Sequence, residues 1–286
     1  MRSMRVPNSS GSAAPKLKLP AHACDCHMHI YDGGRFPPSR PGSRMQPDAA
    51  VKDYRLLQQR LGLSRTVVVQ PAAYVTDNAV TLDAIAQLGR EARGVAVVYP
   101  DVTDAELKRL ADGGIRGIRF TQFDPRTAAT TIDMIEPLAR RVEPLGWHVQ
   151  IHLRSDQIAA AADLLQRLPG TVVFDHLGRL AEGVNDPAFA IIRRMLDGGR
   201  TWVKLSGAYM FGAPPAYAEA LPIARAFINA APERVVWGSD WPHPTEAEKP
   251  DDAVLVDLLS TWAPDDATCR RILVDNPAEL FRFPKG

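Results

Sequence analysis

The densest chemistry in the chain lies in the run Asp25-Cys26-His27-Met28-His29. Side chains alternate along an extended strand, so Asp25, His27 and His29 share one face while Cys24, Cys26 and Met28 share the other. If the first face looks into a common interior, the two imidazoles converge there and the sulfur side chains pack outward as apolar core. That division argues against a Cys-x-Cys-His metal motif. Further along stand His152, the pair Asp175-His176, and Asp240. His27, His29 and His152 together with Asp240 offer three neutral nitrogens and one carboxylate, a donor set that suits one divalent ion, Zn²⁺ or Mn²⁺. Such an ion lowers the pKa of its bound water and polarises a carbonyl. His176 is then free to act as a base or to hold the electrophile.

Positioning these groups requires elements that end near one another. Eight short β-branched or apolar runs recur, at residues 23–30, 66–70, 95–99, 117–121, 148–152, 172–175, 202–206 and 235–238. Between them lie helix-patterned stretches such as 77–93, opened by Thr76 or Asp77, then 104–111 and 156–168. The alternation predicts an α/β fold, a single-domain (β/α)8 TIM barrel over residues 21–286, preceded by a disordered leader at residues 1–20. Chemistry in such a barrel gathers at the C-terminal ends of the strands. His27 and His29 end the first run, Gln70 the second, Arg119 and Thr121 the fourth, His152 the fifth, Asp175-His176 the sixth, and Ser206 the seventh. Val236, Gly238 and Asp240 share a face after the eighth, which aims the carboxylate of Asp240 inward. His148, at the start of its strand, reads as a core histidine. The run Asp112-Gly113-Gly114-Ile115-Arg116-Gly117 precedes a strand, so it is a helix stop and not a dinucleotide-binding turn.

Composition removes other functions. Among 286 residues, 34 Lys and Arg nearly balance 33 Asp and Glu, leaving a net charge of +1 and no broad basic field for nucleic acid or an anionic membrane. Hydrophobic residues make up 45%, enough for a full core, yet no apolar run approaches the length of a membrane span. Three cysteines cannot form a disulfide framework, and residues 1–20 contain no apolar segment of a signal peptide. These features lead us to expect a cytoplasmic protein; its oligomeric state is not legible in the sequence.

The ordered set of histidines and aspartates, with the runs Asp175-His176-Leu177-Gly178-Arg179 and Trp237-Gly238-Ser239-Asp240-Trp241-Pro242-His243-Pro244, resembles the amidohydrolase superfamily in its amidohydrolase-2 branch. Within that branch the chain is similar to the group holding the pyrone-dicarboxylate lactonases, sulfomuconolactone hydrolases and galactarolactone isomerases. The resemblance implies a hydrolase that opens a small lactone, with Asp240 activating water without a metal and His27, His29 and His176 polarising the carbonyl. His152 stands where the pyrone enzymes carry a tyrosine, and it restores the four-ligand set of metal-dependent relatives. The arginine those enzymes carry after strand seven is replaced by Ser206-Gly207-Ala208-Tyr209, a pattern closer to the isomerases. The expected substrate is therefore an acidic or polyhydroxylated lactone. Arg119 and Arg126 are candidate anion clamps, since a guanidinium fork binds two oxygens at once. Tyr74, Lys204, Ser206, Tyr209 and His243 are candidates to line the pocket. The alternatives are a sugar-acid lactone isomerase, a metal-dependent decarboxylase of the same branch, and a non-catalytic barrel, against which the presence of both Asp240 and His176 stands.

Overall fold

The computed structural model describes residues 4–125 and 128–284. Eight parallel strands, β1 (Cys24–Met28), β2 (Arg65–Val69), β3 (Ala92–Ala96), β4 (Ile115–Thr121), β5 (His148–His152), β6 (Val172–Phe174), β7 (Thr201–Leu205) and β8 (Val235–Trp237), each pair with the next in chain order. Backbone bonds from Asp240 N to the His27 carbonyl and from His29 N to the Trp241 carbonyl, both 2.8 Å, join the end of β8 to β1. Gly238 permits this closure, because a Cβ there would lie 2.7 Å from His27 Cβ and 2.9 Å from His27 N. Helices α1 (Val51–Leu61), α2 (Ala79–Leu88), α3 (Asp104–Asp112), α4 (Ile135–Val142), α5 (Ser155–Ala160), α6 (Ala162–Arg167), α7 (Pro187–Asp197) and α8 (Ala220–Ala230) fill the crossovers. The fold is the expected (β/α)8 barrel.

Local chemistry explains several boundaries. The Thr103 hydroxyl accepts from Glu106 N and starts α3, and the Asp186 carboxylate caps α7 with Pro187 in its first turn. In α4, Ile135, Leu138, Ala139 and Val142 form one buried stripe. Burying each of its larger aliphatic side chains contributes roughly 1.5–3 kcal/mol.

Several expectations are corrected. The third strand runs three residues earlier than 95–99, because Arg93 and Gly94, poor strand formers in isolation, are accommodated by tertiary contacts. Arg93 lies 4.7 Å from the Phe283 ring centroid, and Gly94 faces Ile85 and Ile115 where a Cβ would clash. The segment 77–93 is α-helical only over α2, with Asn78 as its N-cap and a 3-10 turn at Gly89–Glu91 after it, and 156–168 breaks at Ala161 into α5 and α6. Residues 4–20 do not behave as a disordered leader. Val6 is buried, Pro7 accepts from Trp241 Nε1, Asn8 bonds the Pro47 and Asp48 carbonyls, and Arg60 donates to the Ala13 carbonyl. Such contacts with distant residues are invisible to composition.

The strand-face reading of β1 is also corrected. Between Asp25 and Met28, β1 spans one residue more than β2 does opposite it, a β-bulge. Cys24 and Cys26 therefore point into the barrel, clustering with Val67, Val69, Val95, Val173 and Val236 above the plug formed by Phe281 and Phe283. Asp25 points out to Tyr54 of α1, and the bulge returns His27 to the interior. Among the described residues neither cysteine joins a metal-ligating group.

Candidate active site

His29 donates Nδ1–H to the Val69 carbonyl at 2.8 Å, because a carbonyl can only accept. Its Nε2 therefore presents a lone pair, 3.3 Å from Asp240 Oδ1. The same oxygen lies 3.5 Å from His27 Nε2 and 3.9 Å from His176 Nε2. His176 Nδ1 is 2.9 Å from Ser206 Oγ, and the Tyr209 hydroxyl donates to Asp240 Oδ2 at 2.5 Å. Asp240 and His176 adopt positive φ, 64° and 48°, in the turns that leave β8 and β6. Asp25 fastens the two edges of the site together: it accepts from His27 N, Ser239 N, the Ser239 hydroxyl and the Tyr54 hydroxyl. Burial pushes its carboxyl up to about 6.

Beneath the histidines lies a charged floor. Lys204, fully buried, donates to the Cys26 carbonyl and Gln150 Oε1, each at 2.8 Å, and sits 3.3 Å from His27 Nδ1. Burial brings its ammonium down to about 8 against the pull of Asp175. Asp175 Oδ2 accepts from Arg119 Nε at 2.9 Å and Gln150 Nε2 at 3.0 Å. Burial raises the Asp175 carboxyl, but His27, Arg119 and Lys204 hold it well below the usual range. Asp240 behaves alike: burial opposes its charge, and His176 and His27 beside Oδ1 hold it well below its usual range. Burial keeps His27 and His152 neutral far below their ordinary range and lowers His176 to about 4. The centre thus pairs an ionised carboxylate with neutral imidazoles.

Ligand atoms of His27, His176 and Asp240 lie within 4.8 Å of one another. Both nitrogens of His152 are buried without a hydrogen-bond partner among the described residues. These imidazole and carboxylate donors fit a divalent cation. The tight group differs from the sequence-derived set: it takes in His176 and leaves out both His29 and His152, the latter stacked on Phe123, 5.4 Å between centroids, and edge-on to His176.

The other expected residues divide. Ser206 and Tyr209 touch site residues directly, and Lys204 lies beneath them. His243 sits behind Tyr209, with its Nε2 3.2 Å from Asp252 Oδ1. The Tyr74 hydroxyl accepts from Asp32 N instead of facing the histidines. Arg119 is drawn into the floor by Asp175, and Arg126 lies outside the described residues. Sequence reasoning missed two residues. Tyr31, buried, has its phenol pushed up by burial and by the nearby charge of Asp240, and its spacing of two from His29 was a usable signal. Arg179 lies 4.1 Å from the Phe123 ring centroid and gave no periodic signal, because residues 176 to 179 all have positive φ. Beside the cluster a cavity of about 960 Å³ is lined by Phe123, Arg154, Arg179, Leu180, Met210 and Phe211, among others.

The amidohydrolase family profile matches residues 24–283. A 2-pyrone-4,6-dicarboxylate hydrolase of Comamonas testosteroni is 37% identical over 93% of this chain and 92% of its own. A D-galactarolactone isomerase of Agrobacterium fabrum is 32% identical over 94% of both chains. An apo crystal structure of an Agrobacterium tumefaciens protein superposes with a TM-score of 0.89 at 30% identity, covering 98% of this chain and 99% of that one.

Proposed function

The chain belongs to the amidohydrolase family, and from that premise we propose that it is a hydrolase opening a small acidic or polyhydroxylated lactone. The observation that carries this reading is one carboxylate oxygen, Asp240 Oδ1, facing three imidazole nitrogens at 3.3, 3.5 and 3.9 Å. Asp240 is ionised and takes a proton from water as that water attacks the lactone carbonyl. His29, whose tautomer presents a lone pair to Oδ1, suits the role of proton acceptor from Asp240 better than the carbonyl-polarising role expected for it. His27 and His176 face the same oxygen as neutral rings and are placed to donate to the developing oxyanion. Lys204 and Ser206 hold the far nitrogens of these two rings, and Tyr209 holds the far oxygen of Asp240. When bound at His27, His176 and Asp240, a divalent ion, Zn²⁺ or Mn²⁺, would supply Lewis-acid polarisation of the carbonyl.

Proton release against sugar-acid, muconate-type and pyrone lactones, with and without prior chelation, tests the reading. One lactone class should yield acid, and D240N should lower the rate by roughly 10²- to 10⁴-fold without moving the thermal midpoint. Silence across the panel overturns it. The isomerase reading has support in Ser206-Gly207-Ala208-Tyr209 and in the isomerase relative. There a substrate hydroxyl replaces water, so ring interconversion appears by NMR without acid.

A further inference from the structure

We propose that Lys204 is a positioning residue that keeps the proton of His27 on Nε2, where it serves the oxyanion, and that Asp175 Oδ1 is the acceptor for the opposite tautomer, which a divalent ion at that ring requires; the catalytic half rests on the lactone reading. A chain of hydrogen bonds leaves each partner one choice. His29 Nδ1 donates to the Val69 carbonyl, so its Nε2 is a lone pair. The 3.3 Å contact between the Nε2 atoms of His29 and His27 is then a hydrogen bond only if His27 supplies the proton. The ionised Asp240 Oδ1, 3.5 Å from the same nitrogen, also favours a proton there. In a neutral imidazole a proton on one nitrogen leaves the other an acceptor, so His27 Nδ1 accepts.

Two groups face that nitrogen, each at 3.3 Å: Lys204 Nζ, which can donate, and the carboxylate oxygen Asp175 Oδ1, which cannot. Of the three N–H groups of Lys204, two go to the Cys26 carbonyl and Gln150 Oε1. The third has His27 Nδ1 at 3.3 Å and Asp175 Oδ1 at 3.8 Å. Gln150 is oriented by the same arrangement, since its Nε2 donates to Asp175 Oδ2. Burial and Arg119 oppose the ammonium charge, while Asp175, Cys26 and Asp25 favour it. Asp175 Oδ1 is buried without a hydrogen-bond partner among the described residues, although Oδ2 of the same carboxylate has two. The other tautomer gives that oxygen a use. A divalent ion takes the lone pair of a neutral imidazole, and the remaining N–H of a ligating histidine is ordinarily held by a carboxylate, a backbone carbonyl or water. At His27 the acceptor in reach is Asp175 Oδ1. A proton on Nδ1 would also meet the Lys204 ammonium, so the lysine that supports hydrolysis opposes the ion.

Nitrogen NMR of the histidine rings reads the proton directly. In the chelator-treated parent protein at neutral pH, with the His27 signals assigned by their loss in H27Q, Nε2 should be protonated and Nδ1 a lone pair. The reverse overturns the proposal without any change at Lys204. In K204M, with K204Q as the second variant should K204M not fold, the tautomer should reverse. Affinity for Zn²⁺, titrated calorimetrically into chelator-treated protein, should rise about tenfold or more, while kcat without metal should fall about 10²-fold with a smaller change in KM. D175N should instead weaken Zn²⁺ binding about 10- to 100-fold, and unchanged binding there overturns the role of Asp175. A lysine that only supported the fold would lower activity and Zn²⁺ affinity together. That result overturns the role of Lys204, as does an unreversed tautomer, a parent-like kcat, or Zn²⁺ binding that is equal or undetectable in both parent and K204M. The spectra and the titration need no turnover, so silence on every lactone removes the lactonase reading and leaves these two measurements to decide for Lys204 and Asp175.

Discussion

The Tyr209 hydroxyl donates to Asp240 Oδ2 at 2.5 Å, leaving Oδ1 as the oxygen that faces the three histidines. Burial and then the charge of Asp240 push the phenol well above its ordinary value, so it remains a donor throughout the neutral range. Y209F removes this bond and frees the carboxylate to rotate. Losing a hydrogen bond to a charged group costs about 1.5–3 kcal/mol, so kcat should drop at least tenfold with little change in the melting midpoint. Parent-like kcat in Y209F would refute the positioning role.

Closure of the barrel predicts a second effect. A Cβ at Gly238 would meet His27 N at 2.9 Å, and a backbone atom cannot swing aside. G238A should destabilise the fold by about 1–3 kcal/mol in chemical denaturation and lower activity, since the displaced residue is His27. An unshifted denaturation midpoint would show that β1 and β8 are not held this closely.

Acid sensitivity is expected from His148, which fills the barrel where Gly117 leaves room and packs edge-on against Phe281. Burial, with help from Lys204, lowers its pKa to about 3. An unfolded histidine takes up a proton near pH 6.5, whereas folded His148 resists until about 3, so the unfolded chain binds more protons between these values. Stability from this residue is full above about pH 6.5 and is lost as pH falls, by up to about 1.4 kcal/mol per unit. Unfolding free energies measured from pH 7 to 4 should fall less steeply in H148L; parallel slopes would place the sensitivity elsewhere.

The donor group His27, His176 and Asp240 predicts uptake of one equivalent of Zn²⁺ after incubation and desalting, measured by elemental analysis. H176A and D240N should each weaken binding tenfold or more, with a smaller effect from H152A. Absence of retained metal in the parent protein would leave the imidazoles as hydrogen-bonding groups alone.

Alternating strand and helix patterns located all eight strands to within a few residues, and the rule that barrel chemistry gathers at C-terminal strand ends singled out His27, His29, His176 and Asp240. Both signals are local, since a period of two or 3.6 is written in neighbouring residues. The sequence by itself therefore determined the barrel and the side chains that meet in its mouth. Tertiary structure decided which way and with whom they act. One extra residue in β1 turned Asp25 toward Tyr54 and Cys24 and Cys26 inward, a reversal that strict alternation cannot register. Asp175 lies 56 residues from Arg119 and commits it to the floor, while four positive-φ residues carry Arg179 to the cavity. The partner of a charged side chain is set by proximity in space, and only the closed barrel brings such distant residues together.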